Sequence, residues 1–247
     1  MKETWNDFES EIFDFEGYET RVICPVENAN GFLAVKTEYW NAFPQTEIEL
    51  VKQGFHLCFI RNENRWGMNA DLDRKARMIR FVQLKYGLKK KCALVGMSCG
   101  GLIAVKFAAR YPELTACLYL DAPVVNYMSW PCGFGVGKTP DRDKLFQEAL
   151  TALKLENIAQ LLAYRDMPLD HLQDLVKKNI PAVLVAGDCD QTVPFSENGW
   201  FIQQAYKDAG AEIEVYLKPG CDHHPHGLAD PAPVVDFLLR YCAEEGE

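Results

Sequence analysis

The sequence contains no long hydrophobic run, no extended basic segment and no C-x-x-C pair. A membrane-spanning helix needs about 20 consecutive, mostly apolar residues, so we expect no membrane partner. The formal net charge is −9, and the one basic run, Lys89–Lys91, is typical of a solvated turn. A nucleic-acid partner would require a concentrated basic face, which this composition excludes.

The nine cysteines are odd in number and scattered, and several lie within apolar segments. The first residues, MKETWNDFES, lack the apolar stretch of a secretory signal peptide. We therefore expect reduced thiols in a cytoplasmic protein rather than disulfides. The length of 247 residues allows one domain or two, and it is enough to bury a substantial core.

One stretch, Cys92–Gly101, reads CALVGMSCGG. The apolar residues 92–95 predict a buried strand, and the pattern of Leu102–Arg110 predicts a helix. A strand-to-helix turn of the form G-x-S-x-G holds a serine hydroxyl above the sheet, and it leaves no room for side chains at Gly96 and Gly100. Ser98 is therefore a candidate nucleophile, although these glycines are also compatible with an ordinary loop.

Apolar runs alternate with helical patterns along most of the chain. A β-hairpin is predicted around Glu16-Gly17, where residues 11–15 and 18–24 flank the turn. The predicted strands are residues 32–35, 55–60, 92–95, 116–120, 181–186 and 211–217, and the predicted helices are residues 43–52, 72–86, 102–110, 196–209 and 232–242. Such alternation indicates parallel strands joined by helices, with a site at the carboxyl ends of the strands.

The alternation breaks within residues 123–179. This segment contains WPCGFGVG at residues 130–137, which favours a loop, and helical patterns at residues 141–164 and 171–178. We interpret it as an inserted lid, because an insert rich in aromatic residues and glycine after a strand end can cover a site. The alternation then resumes, so we expect a single domain over residues 1–247.

Two later segments could complete a nucleophilic site. A serine hydroxyl becomes a useful nucleophile when a histidine takes its proton and a carboxylate orients that histidine. Residues 187–194 read GDCDQTVP after a predicted strand, and residues 220–227 read GCDHHPHG after the last predicted strand. Both segments follow strands, so their carboxylates and imidazoles are expected at the same edge as Ser98.

The turn at Ser98, the GDxDxxVP segment and the late histidine loop, in the order Ser, Asp, His, resemble the α/β-hydrolase superfamily over almost the whole chain. The resemblance implies an α/β-hydrolase fold, with a mostly parallel central sheet flanked by helices. It also implies that Asp190 is the triad acid and that His223 is the base, since HHPH is similar to the GHxPH form of some relatives. Alternatives for these roles remain open: His224 and His226 for the base, and Asp121 for the acid, with Asp188 expected to orient its loop.

The resemblance further implies an oxyanion hole. One donor is the main-chain N–H of Cys99, the residue after the nucleophile. The second is assigned by location to Thr37, which follows the strand at residues 32–35, where many relatives carry a His-Gly pair. Trp130, Tyr127 and Phe134 are candidate substrate-binding side chains of the lid, or simple packing residues.

Residues 221–226, CDHHPH, also include metal-ligating residue types. We expect no metal site here, because neighbouring side chains in so short a proline-containing loop should point apart and no second cluster adds ligands. We also expect no cofactor, since a serine hydrolase needs none.

These features predict a serine hydrolase that cleaves carboxylic esters of small acyl groups, with a small-molecule ester as its partner. The HHPH loop is similar to that of some carbohydrate deacetylases, so acetyl esters of carbohydrates are one candidate substrate class. A peptidase, an acyltransferase and a binding module without catalysis remain alternatives. Nothing in the sequence indicates the oligomeric state.

Overall fold

A nine-stranded sheet runs through the computed structural model, which describes residues 2–244. The strand order is β1-β2-β3-β5-β4-β6-β7-β8-β9. The strands are β1 (Lys2–Trp5), β2 (Phe8–Phe15), β3 (Tyr18–Ile23), β4 (Leu33–Lys36), β5 (His56–Ile60), β6 (Cys92–Met97), β7 (Thr115–Asp121), β8 (Ala182–Gly187) and β9 (Ile213–Lys218). Strands β1, β2, β3 and β5 pair antiparallel, and every pairing from β5 to β9 is parallel.

Eight α-helices connect and cover these strands in the described part of the chain. They are α1 (Gln45–Lys52), α2 (Asn69–Tyr86), α3 (Cys99–Arg110), α4 (Arg142–Leu153), α5 (Ile158–Ala163), α6 (Leu172–Lys177), α7 (Gly199–Ala209) and α8 (Ala232–Glu244). The prediction of a mostly parallel sheet flanked by helices is confirmed. Within residues 2–244, none of the helices has both the length and the apolar character that a membrane crossing requires.

The core lies on both faces of the sheet. On β6, Leu94 packs in the cluster that includes α2, α3 and α7, whereas its neighbours Ala93 and Val95 pack in the cluster that includes α1 and α8. All residues of β5, β6, β7 and β8 are buried, which explains why these strands read as continuous apolar runs rather than as alternating patterns.

The predicted hairpin is present, since β2 and β3 pair around Glu16-Gly17. Strand β1 was not among the predictions, because its four residues KETW carry almost no apolar periodicity. The single helical pattern of residues 141–164 is in fact two helices, α4 and α5. The break lies at Lys154, which is left-handed with φ 57°, and Asn157 caps α5 by accepting a hydrogen bond from Gln160 N at 3.0 Å.

Residues 123–179 contain α4, α5 and α6. Helix α6 lies in the main core, where Leu175 is fully buried in the same cluster as Ile103 of α3 and Ile202 of α7. The end of the segment therefore acts as an ordinary sheet-covering connection from β7 to β8. The loop after β7 and helix α4 also bury residues in this cluster, among them Tyr127 and Leu150, and their role as a lid remains a prediction.

Candidate active site

The carboxyl ends of β6, β7 and β8 bring the predicted site residues to one edge of the sheet. Ser98 follows β6, Asp121 ends β7, and residues 188–190 follow β8. Because these strands are parallel neighbours, residues far apart in sequence meet there. The loop after β9 adds the histidines.

Ser98 lies in a strained turn between β6 and α3, with φ 52° and ψ −120°. The turn needs its glycines: a Cβ at Gly96 would lie 2.5 Å from Gly100 O, and one at Gly101 would lie 2.4 Å from the Pro123 Cβ. Gly100 is less constrained, since its Cβ would lie 3.1 Å from the Thr37 Oγ1. The turn therefore also excludes a side chain at Gly101, a position that the G-x-S-x-G pattern does not include.

The structure brings Ser98, His223 and Asp190 into one hydrogen-bonded chain. His223 Nε2 lies 3.2 Å from Ser98 Oγ, and His223 Nδ1 lies 2.7 Å from Asp190 Oδ2. The other oxygen of Asp190 accepts main-chain hydrogen bonds from Thr192 and Val193, each at 2.8 Å. Asp190 and His223 are buried, whereas Ser98 is partly exposed, so the serine is the member that a substrate can reach.

Two further aspartates join the loops that carry the acid and the histidine. Asp222 Oδ1 accepts hydrogen bonds from Gln191 N and His223 N, both at 2.8 Å, and these donors lower the pKa of Asp222. Asp188 Oδ1 accepts from Gly220 N at 2.7 Å. The Asp222–Gln191 and Asp188–Gly220 contacts connect the two loops. Asp188 is therefore placed to orient its loop.

The rival histidines have different surroundings. His226 Nδ1 lies 2.8 Å from Asp121 Oδ1, and the second oxygen of Asp121 accepts hydrogen bonds from Gly227 N at 2.5 Å and Tyr119 Oη at 2.9 Å. His224 is exposed and stacks on Phe43, with ring centroids 5.4 Å apart and planes 13° apart. Burial and the neighbouring His223 lower the pKa of His224. The ring that contacts Ser98 Oγ is His223, and Asp121 is paired with His226 rather than with the base.

The three histidine rings converge. One ring nitrogen of each of His223, His224 and His226 lies within 4.8 Å of the corresponding atoms of the other two. The expectation that neighbouring side chains of this loop point apart is therefore wrong.

Of the two predicted oxyanion donors, the main-chain N–H of Cys99 fits the role and Thr37 does not. Cys99 is the first residue of α3, so its main-chain N–H has no acceptor within the helix and lies where the helix dipole is positive. Thr37 N donates to Val95 O at 3.0 Å, and its hydroxyl lies 2.7 Å from Gly100 O. Both donors of Thr37 are thus occupied by main-chain carbonyls in a fully buried position, which corrects the assignment made from its location.

The Cys99 thiol is fully buried beside Tyr39 and Arg65, and burial raises the pKa of Cys99 to about 12. A thiol with so high a pKa is almost entirely protonated at neutral pH and is a poor nucleophile. Cys99 is therefore suited to a main-chain role at the helix start rather than to thiol chemistry.

Of the three aromatic residues predicted to bind substrate, Tyr127 and Trp130 both pack against Trp66, whereas Phe134 lies apart from them. Tyr127 is fully buried, and its hydroxyl donates to Trp66 O at 3.3 Å. Trp130 is buried, with 7% of its surface exposed, and stacks on Trp66, with ring centroids 5.6 Å apart. Phe134 is 68% exposed and lines a surface cavity of about 220 Å³ beside Glu197.

Sequence reasoning missed a connection between the loop after β5 and helix α4. Arg65 makes a bidentate ion pair with Glu148, with N···O distances of 2.9 and 2.7 Å, and the indole Nε1 of Trp66 donates to the same carboxylate at 3.1 Å. The Arg65 guanidinium also lies 6.0 Å from the centre of the Trp130 ring. No local sequence motif indicates such a pair, because its partners are separated by 83 residues.

Comparison with known proteins supports the same architecture. A family model described as the α/β hydrolase fold matches residues 69–136, and no curated protein sequence matches the chain. An acylaminoacyl peptidase from Pyrococcus horikoshii superposes with a TM-score of 0.67 and 16% identity, over 88% of this chain and 38% of that protein. A puromycin-hydrolyzing peptidase from Mycobacterium tuberculosis gives 0.69 and 16%, over 97% and 39%.

A predicted CIB-like hydrolase from Thermoplasma acidophilum superposes with a TM-score of 0.56 and 14% identity, over 96% of this chain and 98% of that protein. This chain thus spans nearly all of the small hydrolase but less than half the length of the two peptidases. Such low identities establish the fold alone. The mostly parallel sheet, the sequence match that includes the Ser98 turn and these structural neighbours together show that this chain has the α/β-hydrolase fold.

Proposed function

We propose that this protein is a serine hydrolase that cleaves carboxylic esters of small acyl groups. The observation that carries the proposal is the hydrogen-bonded chain from Ser98 Oγ through His223 to Asp190, at 3.2 and 2.7 Å. The strained backbone of Ser98 is a second support, since strain of this kind persists where the surrounding structure maintains it for function.

The reaction follows from the positions of these atoms. Ser98 Oγ attacks the ester carbonyl carbon while His223 Nε2 takes the hydroxyl proton, and Asp190 stabilises the resulting imidazolium through Nδ1–H. His223 then gives that proton to the departing alcohol, which leaves an acyl-enzyme on Ser98. A water molecule, deprotonated by His223, releases the acid and restores the serine.

Negative charge on the tetrahedral oxygen needs two donors. We assign the first to Cys99 N, at the start of α3. We assign the second to the main-chain N–H of Glu38, since this nitrogen lies 3.5 Å from the position that a Cβ on Gly100 would occupy, next to the first turn of α3. One such donor contributes about 3–4 kcal/mol to the stabilisation of the transition state.

Buried aromatic residues support a small acyl group. Trp66 and Tyr127 are fully buried, their rings lie 5.9 Å apart in an edge-to-face arrangement, and Trp130 covers Trp66. The Cys99 side chain beneath the oxyanion site is likewise enclosed by Tyr39 and Arg65. Residues 123–153, with α4, are the part of the segment 123–179 that we propose as the lid, and the Arg65–Glu148 pair would hold it closed.

The state of the cysteines supports a reducing compartment such as the cytoplasm. None of the nine, which all lie among the described residues, is in a disulfide, and six of them are buried. An oxidising compartment would favour disulfides or modification at the exposed Cys189.

A peptidase is the second candidate, because an acylaminoacyl peptidase and a puromycin-hydrolyzing peptidase are among the structural neighbours. The same triad cleaves amides when the amine leaving group is protonated by the histidine. The two candidates are separated by the ratio of kcat/KM on an ester and an amide with the same acyl group.

The test is acid release from acetyl, butyryl and longer acyl esters, acetylated sugars and matched amides, with Ser98→Ala as the control. We expect short esters to be cleaved, and the variant to lose about 10⁴-fold or more in kcat. It should also lose labelling by a fluorophosphonate. Preferred cleavage of the amides would favour the peptidase, and equal labelling of both proteins would refute the role of Ser98.

A further inference from the structure

The cluster of His223, His224 and His226 has the arrangement of a metal site. The three pairs of ring centroids are each 4.9 Å apart, and the ring planes are inclined at 62°, 77° and 84°. Three rings at equal distances and steep mutual angles surround a common point, in contrast to a stack, where the nitrogens would point away from one another. This is the only group of three or more candidate ligands of this kind among residues 2–244.

A second observation concerns the outer nitrogens of two rings. His223 Nδ1 is hydrogen-bonded to Asp190, and His226 Nδ1 is hydrogen-bonded to Asp121. Metal-bound histidines commonly donate their other ring nitrogen to a carboxylate, which fixes the ring and makes the ligating nitrogen more basic. In both residues the Nδ1 contact leaves Nε2 as the nitrogen that can carry a lone pair, and in His223 this nitrogen lies 3.2 Å from Ser98 Oγ.

The Asp121–His226 pair is not used by the triad. Asp121 is 1% exposed and is held by Tyr119 and Gly227 as well as by His226. His226 is therefore as firmly oriented as the catalytic base, although it makes no contact with Ser98 in the proposed reaction. A ligand role explains why a second carboxylate–histidine pair lies beside the first.

The chemistry of the three ligands favours Zn²⁺. Neutral imidazole is a good ligand for zinc, and three histidines with an open fourth position form a common zinc arrangement. Zinc–nitrogen distances of about 2.0–2.1 Å would bring tetrahedral ligand nitrogens to about 3.4 Å from each other. His224 is exposed and is held by ring contacts such as its stacking on Phe43, whereas each of the other two rings is fixed by a carboxylate, so it is the ring that can close the remaining gap.

We propose that His223, His224 and His226 bind one Zn²⁺ ion through a ring nitrogen each, and that this ion reversibly inhibits the hydrolase. Inhibition rests on the proposed function: His223 Nε2 cannot both ligate zinc and accept the proton of Ser98. Water fills the open position, and no covalent bond to carbon is made or broken. Zinc chelation then restores activity.

Zinc binding is measured on the full chain without reference to activity. Competition with a chromogenic chelator gives stoichiometry and affinity, and the visible absorption of added Co²⁺ reports tetrahedral coordination by nitrogen. We expect one ion per chain. The variant His224→Ala should bind zinc about 10–100-fold more weakly or worse, since second-shell changes alone have effects of this size.

Two control variants test whether zinc binds elsewhere on the chain. Cys189→Ser removes the one exposed thiol, which lies next to Asp190 and is itself able to bind zinc. His171→Ala removes a partly exposed histidine that lies outside the cluster. Both should keep the zinc affinity of the unaltered protein, and a loss of binding in Cys189→Ser would overturn the histidine site.

Inhibition is then measured by ester hydrolysis, over a zinc titration, in the unaltered protein and in His224→Ala. The midpoint of inhibition should match the dissociation constant of the unaltered protein and shift by the same factor in the variant. Equal inhibition of both proteins, or activation by zinc, would overturn the inhibitory role. A protein that binds zinc but whose metal-free form is not labelled by a fluorophosphonate at Ser98 would refute the proposed function and leave the metal site intact. An active hydrolase that binds no zinc would refute the inference alone.

Discussion

At the scale of single residues, His223 and His224 are neighbours in the chain with opposite environments. His223 is buried between Asp190 and Ser98, whereas His224 is exposed and stacks on Phe43. A general base needs a partner that holds its tautomer as well as contact with the proton it takes. Only His223 of these two has both contacts among the described residues.

We therefore predict that His223→Ala lowers kcat by about 10⁴-fold or more, whereas His224→Ala changes it by less than about tenfold. The difference follows from the loss of proton transfer in the first variant and the loss of an exposed stacking contact in the second. Initial rates on the best ester measure both in metal-free buffer, so that zinc does not enter the comparison. The reverse ranking would transfer the role of base to His224.

Asp121 illustrates what sequence reasoning could reach at this scale. Its position at the end of a strand marked it as a candidate carboxylate of the site. The pattern of residues could not show that it pairs with His226, which is 105 positions away, because the two meet only when β7 and the last loop are packed together. Thr37 is the opposite case: its location was right for an oxyanion donor, but its hydrogen bonds with Val95 and Gly100 are tertiary contacts.

At the scale of elements, the turn from β6 to α3 depends on close approach of backbone atoms. Gly96 leaves no room for a side chain on the side of helix α3, because a Cβ at this position would meet Gly100 O and the Cα of Gly101. The sharp turn therefore requires glycine, a local demand that is visible in the sequence.

We predict that Gly96→Ala lowers the free energy of unfolding by about 1–3 kcal/mol, as expected of overpacking, and that it abolishes most ester hydrolysis by displacing Ser98. Denaturant unfolding and initial rates measure the two effects. Gly17→Ala is the control: its Cβ would meet nothing within 4 Å, although φ 85° makes it strained by about 1–2 kcal/mol. The control should lose some stability and keep its activity, and equal losses of activity would contradict the steric argument.

Strand β4 and helix α1 are joined by a buried ion pair. Lys36 and Glu47 are in direct contact, with side chains 1% and 2% exposed, and Lys36 Nζ also donates to Ala42 O at 3.3 Å. Two charges without water are costly to bury, and they are tolerated because each compensates the other.

We predict that Lys36→Met lowers the free energy of unfolding by about 3–5 kcal/mol, because Glu47 is left as an uncompensated buried charge. The double variant Lys36→Met/Glu47→Leu should recover most of this loss. Arg77→Ala, which breaks an exposed pair with Glu16, should cost at most about 1 kcal/mol. Urea unfolding of the four proteins measures these values, and a double variant no more stable than Lys36→Met would contradict the charge argument.

At the scale of the whole molecule, one charge cluster joins helix α3 to the end of the segment 123–179. Asp166 lies 2.8 Å from Lys106 Nζ and 2.7 Å from His171 Nε2, and Tyr164 donates to it at 3.0 Å. Hydrogen bonding to Asp166 raises the pKa of His171, with a smaller contribution from Asp174, while burial and Lys106 act in the opposite direction. Burial raises the pKa of Asp166, but its hydrogen bonds with His171, Lys106 and Tyr164 outweigh burial and lower it.

A raised pKa in the folded state means that protonated His171 stabilises the fold. Its contribution is complete below the unfolded pKa of 6.5 and is lost as the pH rises through the folded value. We predict that the difference in unfolding free energy between the unaltered protein and His171→Ala is largest near about pH 5 and smaller near about pH 9. Urea unfolding at both values measures it. A difference that stays constant or grows with pH would show that His171 acts through packing alone.

The sequence by itself determined the local features of this protein. Strands buried on both faces read as apolar runs, the sharp turn at Ser98 required glycine, and the order of the three site segments indicated the superfamily. These signals are readable because each is carried by the residue types of short stretches of the chain.

Only the tertiary structure decided which groups meet and which donors are free. It occupied both donors of Thr37, joined Arg65 to Glu148 and turned three neighbouring histidines toward one point. The physical reason is common to all of these. Hydrogen bonds and ring orientations across the sheet edge depend on the packing of several elements, and no single stretch of the chain contains that information.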